Sequence, residues 1–130
     1  MGFMNLGKGL VKNNKVSDIK VLTERINKFR DERDWMQFHN HKDMAISLVL
    51  EASELLEHFQ WKSPGEINKR GVSHKEEISE EIADIAIYLL ELADNLKIDL
   101  NKAIENKLDK NSRKYPVEKA RGSAKKYSEL

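Results

Sequence analysis

No cysteine occurs in the 130 residues. That excludes a disulfide framework, a thiolate metal site and a cysteine nucleophile. Only two prolines occur, Pro64 and Pro116, and both fall where a helical pattern stops. No apolar run approaches the ~20 residues needed to span a bilayer, and nothing resembles a signal peptide. A soluble, cytoplasmic protein with no membrane partner is therefore expected. Charge of neither sign dominates: Lys plus Arg number 23 against 22 Asp plus Glu, a balance that does not advertise a partner made of nucleic acid polymer. The length suits one domain, able to bury roughly two thirds of its unfolded surface.

Charge is unevenly placed. Acids gather between Glu51 and Glu91, while bases gather towards the end, from Lys107 and Lys110 to Lys125 and Lys126. An acidic centre beside a basic arm suits an anionic ligand that arrives with a cation. A solvated, charge-mixed surface is the alternative.

Residues 1–16 hold three glycines and no sustained period, and are expected to form a mobile N-terminal arm. Ser17-Asp18 offers a helix cap. Ile19, Leu22, Ile26 and Phe29 follow at helical spacing, which predicts a first helix to about Asp34. Asp43 can cap a second helix running to about Lys62, where Ser63-Pro64-Gly65 stops it. A polar loop with one short turn near Glu66–Lys69 comes next. Ser73 and Glu76 form a capping-box pattern opening a third helix from about His74 to Leu96. Asp99 caps a fourth. The residues from 115 to 130 read as an extended basic tail. The fold class is all-α, four bundle-like helices over 17–114.

The acids on the second and third helices carry the chemistry. In EASELLEHFQWK, residues 51–62, Glu51 and Glu54 stand three apart, and Glu57 follows at the same spacing. Ala45, Leu48, Ala52, Leu55, Leu56 and Phe59 make one apolar arc of that helix, with Glu51 at its edge. Ile78, Ile82, Ile85, Leu89, Leu92 and Leu96 make the stripe of the third helix. Glu81 falls within it and Asp84 lies on its flank. A carboxylate there is costly to ionise unless something compensates it. Neither of these helices carries an arginine. A bound cation would compensate, and it would explain two matching pairs, Glu51-x-x-Glu54 and Glu81-x-x-Asp84. Side chains three apart share a helix face, so the pairs could converge four carboxylates on one point. Oxygen-only ligation selects a hard ion, Mg²⁺ with Mn²⁺ as substitute. A solvated helix face is the competing reading of any single E-x-x-E.

The motifs ERDWMQFH (32–39), EASELLEHFQWK (51–62), EEIADIAIYLLELA (80–93) and KLDKNSRKYPVEKARGSAKKYSEL (107–130) together resemble the MazG-like all-α nucleotide pyrophosphohydrolases, within them the dCTP pyrophosphatase group. The resemblance implies hydrolysis of a nucleoside triphosphate, a dCTP-like or modified pyrimidine one, to monophosphate and pyrophosphate. It places Glu51, Glu54, Glu81 and Asp84 at the Mg²⁺ ligands. It sets Trp35 and Trp61 around the base, with Tyr88 in the same pocket and His39, which closes the first motif, among the substrate-binding residues. Lys107 and Asn111 match polar residues near the phosphates. Leu50 stands where many MazG proteins have a second acid. The family also implies dimers that can pair into tetramers.

The chemistry needs placement and charge more than covalent participation. Mg²⁺ on the carboxylates would activate a water for attack at the α-phosphorus. Glu54 is the first choice to take the proton, with Glu57 or Glu80 assisting, and Lys107 with Arg113 would neutralise the leaving group. Trp35 and Trp61 could instead be core residues. Their places at element ends beside Asp34, Gln37, Gln60 and Lys62 favour a stacked base. Two other functions compete. A di-iron carboxylate bundle requires two E-x-x-H motifs, and none occurs. A non-catalytic helical dimerisation module leaves Glu81 unexplained. Ile46 and Leu50, with Ala83, Ile87 and Leu90, are apolar on faces away from the main stripes, which predicts a homo-oligomer.

Overall fold

The computed structural model describes residues 18–130; the expected N-terminal arm and Ser17 lie outside them. Six α-helices follow in order: α1 (Asp18–Asp31), α2 (His41–Glu57), α3 (Pro64–Ser73), α4 (Lys75–Asn95), α5 (Leu100–Lys114) and α6 (Val117–Ala120). Short 3₁₀ turns occupy Met36–Phe38 and Tyr127–Glu129. No strand occurs among the described residues, so the all-α expectation holds. No helix among them is long and apolar enough to cross a membrane.

Helix α4 is the hub. It packs most extensively against α2, next against α1, and more lightly against α3 and α5. Two helix ends are closed by the same backbone device. After α1, the Trp35 amide donates to the Arg30 carbonyl and the Asp34 amide to that of Asp31, with Asp34 at φ 54°. After α4, Ile98 donates to Ala93 and Lys97 to Asp94, with Lys97 at φ 59°. Both are Schellman closures that satisfy the last carbonyls although neither left-handed residue is glycine. The first turns the chain so that the Trp35 ring meets Phe29 edge-on, centroids 5.8 Å apart.

Several boundaries differ from the sequence expectation. Helix α1 stops at Asp31 because Asp34 is left-handed. Helix α2 begins earlier than expected: Asn40, not Asp43, is the cap, accepting from the Asp43 amide at 2.9 Å. The helix itself ends at Glu57, and turns carry the chain to Trp61. The expected polar loop is a ten-residue helix, α3. Its start was encoded in Ser63-Pro64-Gly65-Glu66: the Ser63 hydroxyl accepts from the Glu66 amide and donates to its carboxylate at 2.9 Å, while Pro64 opens the first turn. The same proline thus stops one helix and starts another. The expected Ser73 cap of α4 is absent, because Ser73 is still the last residue of α3 and its hydroxyl bonds to the His74 ring at 2.7 Å. Asp99 does cap α5, accepting from the Lys102 amide. The tail is not wholly extended, since α6 and the last 3₁₀ turn interrupt it.

A single chain covers little of its apolar surface. Met44, Ile78 and Ala93 are the buried hydrophobic residues among those described. Of the expected α4 stripe, Ile78 is buried and Ile85 and Leu92 are half-buried, but Ile82, Leu89 and Leu96 are exposed. The α2 arc fares no better, with Leu56 exposed and Leu48, Leu55 and Phe59 half-buried. Ile46, Leu50 and Ile87, read as a second apolar face, are exposed as well.

Candidate metal centre

Packing of α2 on α4 brings two helix faces together at Glu51, Glu81 and Asp84. Each offers a carboxylate oxygen, and these oxygens lie within 4.8 Å of one another. Glu51 and Glu81 are half-buried and Asp84 is exposed. The Oε2 atoms of both Glu51 and Glu81 are shielded from solvent and have no hydrogen-bond partner. Glu54 is exposed and outside that three-oxygen group, yet its carboxyl is close enough to pair with Glu51 and with Glu81 when a proton is shared. Burial raises the carboxyl pKa of Glu51 above 4.5, and repulsion from Glu54, Asp84 and Glu81 adds to it. The Glu81 carboxyl is raised by the same two causes, burial first and then Glu54, while His58 acts in the opposite sense.

The donor set passes the test for a hard divalent cation. All its candidate ligand atoms are carboxylate oxygens, Glu51 and Glu81 each keep a buried oxygen without a partner, and a cation would relieve the mutual repulsion of the acids. Glu51, Glu81 and Asp84 would hold the ion, with Glu54 at the edge.

Stability should therefore depend on pH and metal together. Between 4.5 and their raised values, Glu51 and Glu81 keep protons in the folded state that the unfolded chain has already released. Stability from this source falls as pH rises through that window. The Asp31 carboxyl, held below 3.8 by its bond to Arg30, acts only at lower pH and in the other direction. In chelator-treated protein, Tm should drop as pH is raised from just above 4.5 towards neutrality. Mg²⁺ should restore it most near neutrality, and Glu81→Gln should flatten the slope. A Tm indifferent to both pH and Mg²⁺ in that range would contradict the centre.

Two residues beside the cluster were not singled out from the sequence. The Nε2 of His58 lies 3.9 Å from Glu81 Oε1, and its Nδ1 lies 3.3 Å from Arg70 Nη2. An arginine only donates, so His58 Nδ1 accepts and Nε2 carries the proton that faces Glu81. Arg70 sits on α3, outside the two long helices and in the stretch expected to be a loop. The position of His58, four after Glu54 on the same helix face, was the available signal.

The other expected site residues are more scattered. Glu57 and Glu80 are exposed and outside the three-acid group. Trp61 is 93% exposed at φ 62°, so it is not a core residue of the single chain. A left-handed backbone is uncommon for a bulky residue. Trp35 is 42% exposed. His39 lies beside it, ring centroids 6.5 Å apart, with its Nδ1 engaged by Glu91. Tyr88 on α4 and Asn111 on α5 are half-buried, whereas Lys107 and Arg113 on α5 are exposed.

Together these features define an all-α protein with an acidic, oxygen-only cluster between two packed helices and an exposed aromatic at the end of one of them. The chain belongs to the MazG-like family, whose sequence model matches residues 46–130. It is 45% identical over 104 residues to human dCTP pyrophosphatase 1 and 44% identical to the rat protein, in each case across 78% of this chain and 61% of the relative. The chain thus spans about three fifths of these curated relatives. A solved pyrophosphatase from Archaeoglobus fulgidus DSM 4304 superposes with a TM-score of 0.75 at 40% identity, covering 79% of this chain and 96% of that one.

Proposed function

We propose that the chain is a divalent-metal-dependent nucleoside triphosphate pyrophosphohydrolase, acting on dCTP or a modified pyrimidine triphosphate to give the monophosphate and pyrophosphate, as a safeguard of the nucleotide pool. The observation that carries this reading is the pair of buried, unpartnered oxygens of Glu51 and Glu81 at the α2–α4 contact. The similarity to dCTP pyrophosphatase in mammals and to the archaeal pyrophosphatase supports it.

A bound Mg²⁺, with Mn²⁺ as substitute, would neutralise triphosphate charge and make an attacking water more acidic. The chain supplies the rest. Glu51, Glu81 and Asp84 fix the site on two mutually packed helices. Glu54 lies beside both neighbouring glutamates and is exposed to solvent, which suits it to accept the proton as water attacks the α-phosphorus. Glu57 and Glu80 assist it. Lys107, Asn111 and Arg113 on α5 stabilise the departing pyrophosphate. Trp35 and Trp61 enclose the base, joined by Tyr88 and His39.

The exposed apolar faces of α2 and α4 fit a homodimer or tetramer in which neighbouring chains cover them and close the pockets. The exposed Trp61 belongs at such a closure. Trp61→Ala should raise KM for nucleotide by about tenfold to a hundredfold, in line with roughly 1–3 kcal/mol per stacked base. Mg²⁺ affinity and the circular dichroism spectrum should be unchanged. Loss of helicity in that variant would assign the ring to packing instead.

The activity itself is tested with a panel of canonical and modified triphosphates, read by pyrophosphate release with and without Mg²⁺. The expected result is metal-dependent release, fastest for pyrimidines. No release above the metal-free background from any triphosphate would overturn the proposal.

A further inference from the structure

Glu91 is 3% exposed on α4, seven residues beyond Asp84 in sequence, and the chemistry above does not use it. An acid so deeply placed is tolerated only when paired and hydrogen-bonded. Its partners come from three segments. His39, in the connection after α1, places Nδ1 2.8 Å and 3.0 Å from the two carboxylate oxygens. The Asn95 amide donates to Oε2 at 3.2 Å, and Arg30 Nη1 lies 3.8 Å from the same atom. Arg30, itself 9% exposed, is fixed by Asp31 at 2.8 Å and by the side-chain carbonyls of Asn27 and Asn95, each at 3.2 Å.

A carboxylate flanked by a guanidinium offers acceptors only, so the His39 Nδ1 bears the proton in this contact. The ring is thereby held in one orientation and, when neutral, in one tautomer, with Nε2 as a free acceptor directed away from Glu91. That ring stands beside the half-exposed Trp35 and keeps 20% of its own side chain exposed. We infer that Glu91, locked by Arg30 and Asn95, is a positioning residue that sets His39 Nε2 as a hydrogen-bond acceptor for the exocyclic amine of a base stacked on Trp35. This rests on the nucleotide reading above and deepens it: the Glu91–His39 pair is the element that selects an amino-bearing pyrimidine. The logic is that of a buried orienting group behind a contacting histidine.

The test compares Mg²⁺-dependent kinetics with deoxycytidine triphosphate and with its analogue lacking the 4-amino group, for wild type, Glu91→Leu and His39→Asn. Wild type should prefer the amino-bearing nucleotide by about tenfold or more in kcat/KM, the scale of one well-made hydrogen bond. Both variants should lose that preference, with the loss falling on KM for the amino-bearing nucleotide. His39→Asn retains an amide donor for Glu91, so it keeps the test sound if Glu91→Leu fails to fold. Nitrogen-detected NMR of the His39 ring, assigned by its disappearance in His39→Asn, should show the neutral ring protonated on Nδ1.

A neutral ring protonated on Nε2 would overturn the inference. So would a folded His39→Asn that keeps the wild-type preference, or equal loss with both nucleotides. Absence of turnover in wild type would sink the nucleotide reading and the base contact with it, while the NMR signal would still decide whether Glu91 sets the tautomer.

Discussion

Glu81→Gln should lower kcat by roughly 10²–10³-fold, the scale seen when one preorganised electrostatic contact is removed from a reacting centre. Glu51→Gln and Asp84→Asn should do the same. Glu51 and Glu81 each keep an oxygen out of solvent without a partner, and carboxylate oxygens of Glu51, Glu81 and Asp84 lie within 4.8 Å of one another. An amide of the same shape removes the charge that would hold a hard cation and offers one carbonyl in place of two carboxylate oxygens. The substitutions should not harm the fold. Repulsion within the cluster is relieved, so metal-free Tm should rise while activity disappears. Turnover at low Mg²⁺ and the metal dependence of Tm are measured on the same preparations. Near wild-type turnover in any two of the three variants would remove the cluster from the reaction.

Leu50→Lys should convert the assembly to smaller species and lose most turnover, and Ile87→Lys should behave alike. Leu50 is 58% exposed and Ile87 42% in the single chain, and neither belongs to the acidic cluster. Ile46, Val49, Leu56 and Ile82 are exposed as well, a larger apolar surface than a lone domain usually leaves in water. If a second copy covers these faces, a lysine placed there is buried without a counter-charge. A penalty of roughly 3–5 kcal/mol is typical of an uncompensated buried charge. Light scattering coupled to size exclusion reads the mass directly. An active, monodisperse species at the 15.1 kDa chain mass in the unmutated protein would contradict the proposed assembly.

Much of this architecture is legible in the sequence because helical periodicity and capping chemistry are local. The long helices and the Asp99 cap follow from spacing and residue type, and spacing suggested a convergence of four acids, of which packing brings Glu51, Glu81 and Asp84 together and leaves Glu54 outside. Other features depended on three-dimensional context. Helix α3 was hidden because a Ser-Pro-Gly run reads as a stop, although the same run, with Glu66, is also a start. With it went Arg70, whose guanidinium backs His58 and hence Glu81. The apolar stripes were legible, but a stripe does not say whether its cover comes from the same chain. Ile82 and Leu89 lie on the stripe and are exposed in the single chain. The Glu91 network draws on α1, the following connection and α4, three segments that no periodicity links.

In the proposed reaction the chain directs water to the α-phosphorus of a nucleoside triphosphate. Phosphorus NMR of deoxycytidine triphosphate turnover in ¹⁸O-labelled water with Mg²⁺ tests it in one measurement. Nucleoside monophosphate carrying the label and unlabelled pyrophosphate are expected in equal amounts, with no reaction under chelation. Label in pyrophosphate, or release of labelled orthophosphate with a nucleoside diphosphate, would contradict it.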